Sequence, residues 1–310
     1  MKVVFIGYGS IAKKHLNALK TIDPSFQFYA IRSNIIKQPE NRDLIENLSS
    51  WDEMPNDIDF IVISNPTSLH FNTLKIAVDY DVPIFLEKPP FHSLNNINTL
   101  LNKIATHKTK IYCGFTMKFH PLIQWVKENI NPKEVIEVHC YCGSYLPDWR
   151  KGEDYRTSYS AIKELGGGVH LDLIHEIDYL IWIFGTPLAS MGLVRKNSEL
   201  EIDTYDSATY LLEYESRVIN ITLNYFRKKS KRTLELVTKD DVILVDLIEG
   251  RIINSKNITL YETEISISDM YVNQMKYFLR NRLKEADFEI NSLQDSLESL
   301  RLCLNVKDKL

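Results

Sequence analysis

Val3-Val4-Phe5-Ile6-Gly7-Tyr8-Gly9-Ser10-Ile11-Ala12 opens the chain with an apolar run, two glycines one residue apart, and the first turn of an amphipathic stretch. A strand that delivers a glycine turn into a helix is the context a dinucleotide pyrophosphate requires. Gly7 permits the tight turn, Gly9 lets backbone approach phosphate, and Ala12 is small enough for helix–strand packing. Unpaired N–H groups and the helix dipole then favour the phosphates. Gly7, Tyr8, Gly9, Ser10 and Ile11 are therefore candidate cofactor-binding residues.

Outward from this turn, short apolar runs alternate with helix-length amphipathic ones up to about residue 118. Strands are expected at 2–6, 27–31, 60–64, 83–86 and 110–114, and helices at 11–21, 42–48, 68–80 and 94–107. Repeated βα units with right-handed crossovers predict an α/β fold, a doubly wound parallel Rossmann sheet over residues 1–118. Past His120-Pro121 the texture changes. A helix at 122–129 and a strand at 135–144 precede a polar aromatic loop, and 166–184 reads as one helix. Strands follow at 207–214, 217–225, 233–238 and 242–247, and helices resume at 268–284 and 292–307. Consecutive hairpins segregated from helices predict an α+β domain over residues 119–310 around a large, mostly antiparallel sheet.

The 310 residues suffice for two cores, and 44% hydrophobic with 25% charged residues is ordinary for a globular protein. A net charge of −4 points to neither nucleic acid nor membrane as a partner. Arg227-Lys228-Lys229-Ser230-Lys231-Arg232 is the local exception and reads as a solvated hairpin between strands. With no leader-like apolar core and no spanning stretch, a cytoplasmic location is expected. Four cysteines lack disulfide spacing, and Cys140 and Cys142 would share one strand face as buried thiols.

Three further segments carry chemistry. Tyr29-Ala30-Ile31-Arg32-Ser33 ends the second strand without the acid that takes a ribose hydroxyl, so Arg32 and Ser33 favour a 2′-phosphate and hence NADP(H), with NAD as the alternative. Asn65-Pro66 turns from a strand end into a helix that Thr67 or Ser68 would cap, placing Asn65 within reach of a nicotinamide ribose. Glu87-Lys88-Pro89 follows the apolar run at 82–86, so Lys88 stands at a strand's carboxyl end before a proline suited to a cis bond. In Gly166-Gly167-Gly168-Val169-His170-Leu171-Asp172-Leu173-Ile174-His175-Glu176, the glycines would admit a bound ring against backbone. On one continuous helix Asp172, His175 and Glu176 share a face, a plausible acid/base unit. His170 is out of phase with that stripe, so no metal site is expected.

With these elements in this order, the whole chain resembles the Gfo/Idh/MocA oxidoreductases. Gly7-x-Gly9-x-x-Ala12-x-x-His15, Asn65-Pro66 with His70, Glu87-Lys88-Pro89, the 114–121 segment and the triple glycine leading to Asp172, His175, Asp178 and Gly185 carry the resemblance. It implies an open-faced sheet in the second domain, an oligomer (homodimer or homotetramer) formed through that sheet, and a carbohydrate substrate. It also implies cofactor contacts from Asn65, Pro66, His70, Glu87 and Lys88, and catalysis by Lys88 and His175 with Asp172 orienting them. Two residues separate Asp172 from His175 where the family usually has three, and Lys118 stands where it often has arginine. The 145–159 loop is similar to a subgroup associated with bacterial surface-sugar biosynthesis. Trp149 and Tyr159 suit a pyranose face, Arg150 and Arg156 suit a carboxylate, a phosphate or the cofactor itself, and Lys118 is a further candidate substrate contact. The reaction implied is reversible oxidation of a sugar, sugar-acid or nucleotide-sugar secondary alcohol. The alternatives are a redox-assisted lyase or glycosidase that recycles its cofactor, and a non-catalytic dinucleotide sensor.

Overall fold

Val3, Val4 and Phe5 are fully buried and Ile6 is nearly so, which makes β1 (Lys2–Ile6) a strand covered on both faces. The computed structural model describes residues 1–32, 45–264 and 266–308. It divides into a first unit, Met1–Phe115 with Ile267–Leu297, and a second, Thr116–Ser266 with Glu298–Leu310.

In the first unit β1 lies between β2 (Gln27–Ile31) and β4 (Phe60–Ile63), with β3 (Ile45–Leu48), β5 (Ile84–Leu86) and β6 (Ile111–Cys113) completing the order β3-β2-β1-β4-β5-β6, every pair parallel. This is the doubly wound order expected. Helices α1 (Ser10–Ile22), α2 (Thr67–Ala77) and α3 (Ile97–His107) form the connections. One prediction fails: the stretch read as a helix at 42–48 is a strand from Ile45, its first three residues lying outside those described. Ile45 and Leu48 are buried while Glu46 and Asn47 are exposed, an edge-strand pattern that imitates helical spacing.

A second difference concerns the boundary. Residues 267–297, read from sequence as part of the second domain, pack on the first unit. Met275 and Phe278 of α7 (Ile267–Asn281) are fully buried with Phe60, Phe85, Tyr112 and Phe288. Phe278 lies 5.1 Å from Phe60 and 5.5 Å from Phe85, ring centre to ring centre and steeply inclined to both. Asn291 donates to the Tyr112 hydroxyl and the Phe115 carbonyl, closing the segment on β6.

The second unit is built on a nine-stranded sheet ordered β14-β13-β12-β11-β7-β10-β9-β8-β15. Its central strands are β7 (Val135–Tyr145), β10 (Arg217–Asn224) and β11 (Phe226–Thr238). The β7–β10 and β8–β15 pairs are parallel and the rest antiparallel. Outward lie β9 (Ser207–Tyr214), β8 (Ala189–Arg195) and β15 (Val306–Asp308) on one side, with β12 (Val242–Asp246), β13 (Arg251–Asn254) and β14 (Thr259–Glu262) on the other. Val138, Cys140 and Cys142 of β7 alternate inward with Leu234 and Leu236 of β11, while Glu137 and His139 point outward. The thiols at 140 and 142 are buried as expected, Cys140 Sγ 3.1 Å from the Tyr179 hydroxyl.

The basic run is no hairpin. It lies within β11, whose register on β7 jumps from Phe226↔Tyr145 to Lys231↔Gly143, so that four residues bulge opposite one. Lys228 sits over the Tyr145 ring, and Arg227 and Lys231 lie 5.2 and 5.3 Å from the Tyr141 ring centre. Among the described residues, no helix is long and apolar enough to cross a membrane.

Phe278→Ala should destabilise the protein by about 3–5 kcal/mol through the cavity it leaves, read as a lowered urea midpoint. A loss under about 1 kcal/mol, the size of a surface change, would show that the late helix is dispensable to the first unit.

Candidate active site

In the first unit the candidate residues collect at the carboxyl ends of four adjacent strands, β2, β1, β4 and β5. Gly7 has φ +86°, and a Cβ there would stand 2.6 Å from the Asn65 backbone, so only glycine fits. Its N–H donates to Ile31 O, and its carbonyl accepts from Ser64 Oγ. Gly9 is different: a Cβ there meets nothing within 4 Å. It is the N-cap of α1 and makes no side-chain cap bond, so no N-cap side chain satisfies the helix's first N–H groups. That cradle fits a pyrophosphate. Arg32 ends β2 with its guanidinium 4.3 Å from the Tyr8 ring centre, a cation over an aromatic face; Ser33 lies outside the described residues.

Asn65 donates to Thr73 Oγ1 at 2.8 Å, while its Oδ1 is buried with no protein partner among the described residues. An orphan acceptor in this place suits a ligand hydroxyl. The expected hydroxyl cap is not made, because Pro66 is the N-cap of α2. His70 and Glu87, expected to touch cofactor, also have protein partners. His70 Nε2 lies 2.9 Å from Asn65 O, and Nδ1 lies 3.1 Å from Pro89 O. Burial holds its pKa below the usual imidazole value. Glu87 Oε1 bonds His15 Nε2, and Oε2 accepts the Lys88 backbone N–H at 3.1 Å. These two side chains brace the turn on either side of Lys88, which is half-buried. The Lys88–Pro89 peptide is cis, as its sequence suggested.

The second unit holds the other candidates. The helix expected over 166–184 is broken into α5 (Val169–Asp172) and α6 (His175–Phe184), with Leu173 at φ −99°, ψ 23° between them. The break separates side chains that one continuous helix would have aligned. Asp172 turns to Tyr225, whose hydroxyl donates to Oδ2 at 2.5 Å, while Glu176, fully buried, accepts from Arg232 Nε at 2.6 Å. His175 begins α6 and is half-buried. The glycines preceding α5 serve the chain's own packing: a Cβ on Gly167 would stand 2.3 Å from Tyr159 O.

Lys118 is not an open cation. It is 3% exposed and donates to Asp178 Oδ1 at 3.0 Å, an oxygen that also accepts from Ser299. Arg156 is exposed and forked onto Asp154, with Glu201 at 2.8 Å, and Arg150 makes a long contact of 3.8 Å to Glu153. Trp149 donates to Ser144 Oγ and stands perpendicular to Tyr225 at 5.2 Å, and the Tyr159 hydroxyl donates to Gly166 O. Of the expected substrate residues, Trp149 thus stands against Tyr225, the partner of Asp172, while Tyr159 bonds Gly166 and the basic residues have carboxylate partners. The sequence reading missed Tyr225, Arg232 and the His15–Glu87 bond. Inward alternation through Leu223 at the end of β10 was the one signal pointing to Tyr225.

His120 caps α4 (Pro121–Asn129), its Nδ1 accepting from Leu122 N. Burial, and then the Arg232 charge, lower its pKa to about 4.

Residues 1–115 match the family described as "Oxidoreductase family, NAD-binding Rossmann fold", and residues 124–242 match the GFO/IDH/MocA C-terminal domain. The chain is 28% identical over 231 residues to the uncharacterized oxidoreductase YrbE of Bacillus subtilis, covering 71% of this chain and 65% of that protein. Over 129 residues it is 26% identical to the 2,7-anhydro-N-acetylneuraminate hydratase of Mediterraneibacter gnavus, covering 42% of this chain and 34% of that one. The matches thus span about a third to two-thirds of those relatives' lengths. The UDP-N-acetylglucosamine 3-dehydrogenase structure from Acidithiobacillus ferrooxidans superposes with a TM-score of 0.80 at 17% identity, over 99% of this chain and 96% of that one.

Gly9→Ala should fold with an unchanged melting temperature yet weaken dinucleotide binding at least about tenfold, since the added methyl enters only ligand space; undiminished binding by calorimetry would move the phosphates elsewhere. Gly7→Ala should lose stability instead. For His120, the unfolded chain takes up a proton near pH 6.5 and the folded one only near 4. Stability therefore falls as pH drops through that window, by up to about 3 kcal/mol. His120→Asn should flatten the dependence in urea melts at stepped pH, and an equal slope in both proteins would contradict it.

Proposed function

We propose that this chain, which belongs to the Gfo/Idh/MocA oxidoreductases, interconverts a secondary alcohol and a ketone on a sugar, sugar acid or nucleotide-sugar. The observation that carries the reading is the edge where β1, β4 and β5 end. There an open glycine turn, an Asn65 oxygen with no partner among the described residues, and Lys88 occupy neighbouring strand ends. When bound, the nicotinamide dinucleotide supplies the hydride acceptor or donor. The chain supplies the rest. His175 carries the hydroxyl proton of the substrate, and Lys88 hydrogen-bonds the same oxygen and stabilises its developing negative charge. Asp172 orients the pair. The Tyr145–Tyr159 loop, with Trp149 held upright, offers an aromatic face to a pyranose ring.

NADP(H) is the favoured dinucleotide within an NAD-binding fold. Its support is Arg32 at the end of β2, held over Tyr8, with no acid beside it in Ala30-Ile31-Arg32-Ser33 to take ribose hydroxyls. A second reading is favoured by the similarity to a hydratase. In it the glycine turn and Asn65 would keep the dinucleotide bound, and the hydride taken from the sugar would be returned to it, so that the net reaction would be addition or elimination of water or an alcohol.

Lys88→Met should lower turnover by about 10²–10⁴-fold while fluorescence titration with NADPH and NADH shows binding preserved, NADPH the tighter. Near-normal turnover in that variant would refute the role of Lys88, and tighter NADH would refute the assignment to Arg32. Screening free and nucleotide-linked sugars by nicotinamide absorbance separates the two reactions, because only net dehydrogenation changes it.

A further inference from the structure

The buried phenol of Tyr225 touches both the candidate acid/base residue and the candidate substrate loop. Tyr225 follows β10 and is fully buried. Its hydroxyl donates to Asp172 Oδ2 at 2.5 Å and is also hydrogen-bonded by the Ser160 side chain. Its ring stands perpendicular to Trp149, 5.2 Å away. Its backbone is tied on both sides, the carbonyl accepting from Leu146 N and the N–H donating to Asp206 O. Leu146 and Trp149 belong to the Tyr145–Tyr159 loop, so Tyr225 links that loop to Asp172. Burial, then the Asp172 charge, push the phenol's pKa well above its ordinary value, so it remains a donor at any working pH.

We infer that Tyr225 is a positioning residue for turnover: it takes over the alignment of Asp172 that the broken α5–α6 helix cannot provide, and couples it to the seating of the Trp149 loop. The inference rests on the oxidoreductase reading. In an unbroken helix, a carboxylate one turn from an imidazole is aligned by the helix itself. Here Leu173 interrupts that geometry, and Asp172 Oδ2 is held from the sheet. Substrate pressing on Trp149 would therefore be felt at Asp172 through one rigid ring.

Tyr225→Phe keeps the ring against Trp149 and removes only the hydroxyl. We expect kcat to fall by about tenfold or more, with coenzyme affinity and the KM for substrate essentially unchanged. Combined with Asp172→Asn, it should lower kcat no further than Asp172→Asn alone, because the hydroxyl acts through that carboxylate. A tyrosine that merely fills the core would add its effect independently. An unchanged kcat in Tyr225→Phe, or additive losses in the pair, overturns the inference. The same double-mutant cycle read as melting temperature tests the bond without turnover: non-additive shifts support it and additive ones overturn it. A wild-type chain that binds dinucleotide but oxidises or reduces no sugar, alongside a non-additive melting cycle, would refute the oxidoreductase reading and the role in turnover while leaving the bond in place.

Discussion

The bond between His15 and Glu87 joins the two halves of the dinucleotide edge. His15 lies on α1, the helix that the glycine turn opens, and Glu87 lies between β5 and the cis peptide that presents Lys88. Both side chains are almost wholly buried, so breaking the bond would leave a carboxylate stranded in a low-dielectric interior, a cost of several kcal/mol by order of magnitude. The second Glu87 oxygen takes the Lys88 N–H. Fixing α1 thus also fixes the backbone from which Lys88 projects. Gly114 belongs to this arrangement, since a Cβ there would stand 2.7 Å from Glu87 Oε1.

The second unit places its polar groups differently. Asp172 and Glu176 flank His175 in sequence, yet each is drawn to a separate partner, Tyr225 after β10 or Arg232 on β11. Burial works against the Arg232 charge while the Glu176 carboxylate beside it favours that charge, and the guanidinium's pKa lies above its ordinary value. The short helix before Leu173 and the longer one after it are therefore anchored to the sheet one by one. Asp178, a turn further along α6, adds the buried Lys118 contact. The helix carrying His175 is held through two buried charged attachments, at Glu176 and Asp178, which limits how far its first turn can shift.

Most of the first unit was legible because its strands are short apolar runs bounded by turn residues. The glycine turn, Arg32, Asn65 and Lys88 all fall at strand ends, where spacing along the chain is enough to place them. Ile45–Leu48 was misread because an edge strand buried at i and i+3 repeats as a helix does. The helix break at Leu173 had a trace in the sequence, the shortened interval from Asp172 to His175, but spacing alone cannot say where the two side chains then turn. The protein bonds made by Glu87, His70 and Lys118 were not legible in the sequence. The Glu87 and Lys118 pairings are made across 72 and 60 residues, and no local pattern encodes them. Nor does an amphipathic helix announce which core will receive it, which is why 267–297 was placed with its sequence neighbours.

That late segment has a consequence for biosynthesis. Met275, Phe278 and Phe288 complete the interior into which Phe60, Phe85 and Tyr112 point. On the ribosome, where chains emerge amino end first, the dinucleotide-binding unit must wait unfinished until nearly the whole second unit has been translated. Its apolar faces stay open through that interval, so chaperone attention or premature nicking should fall on the half that is made first.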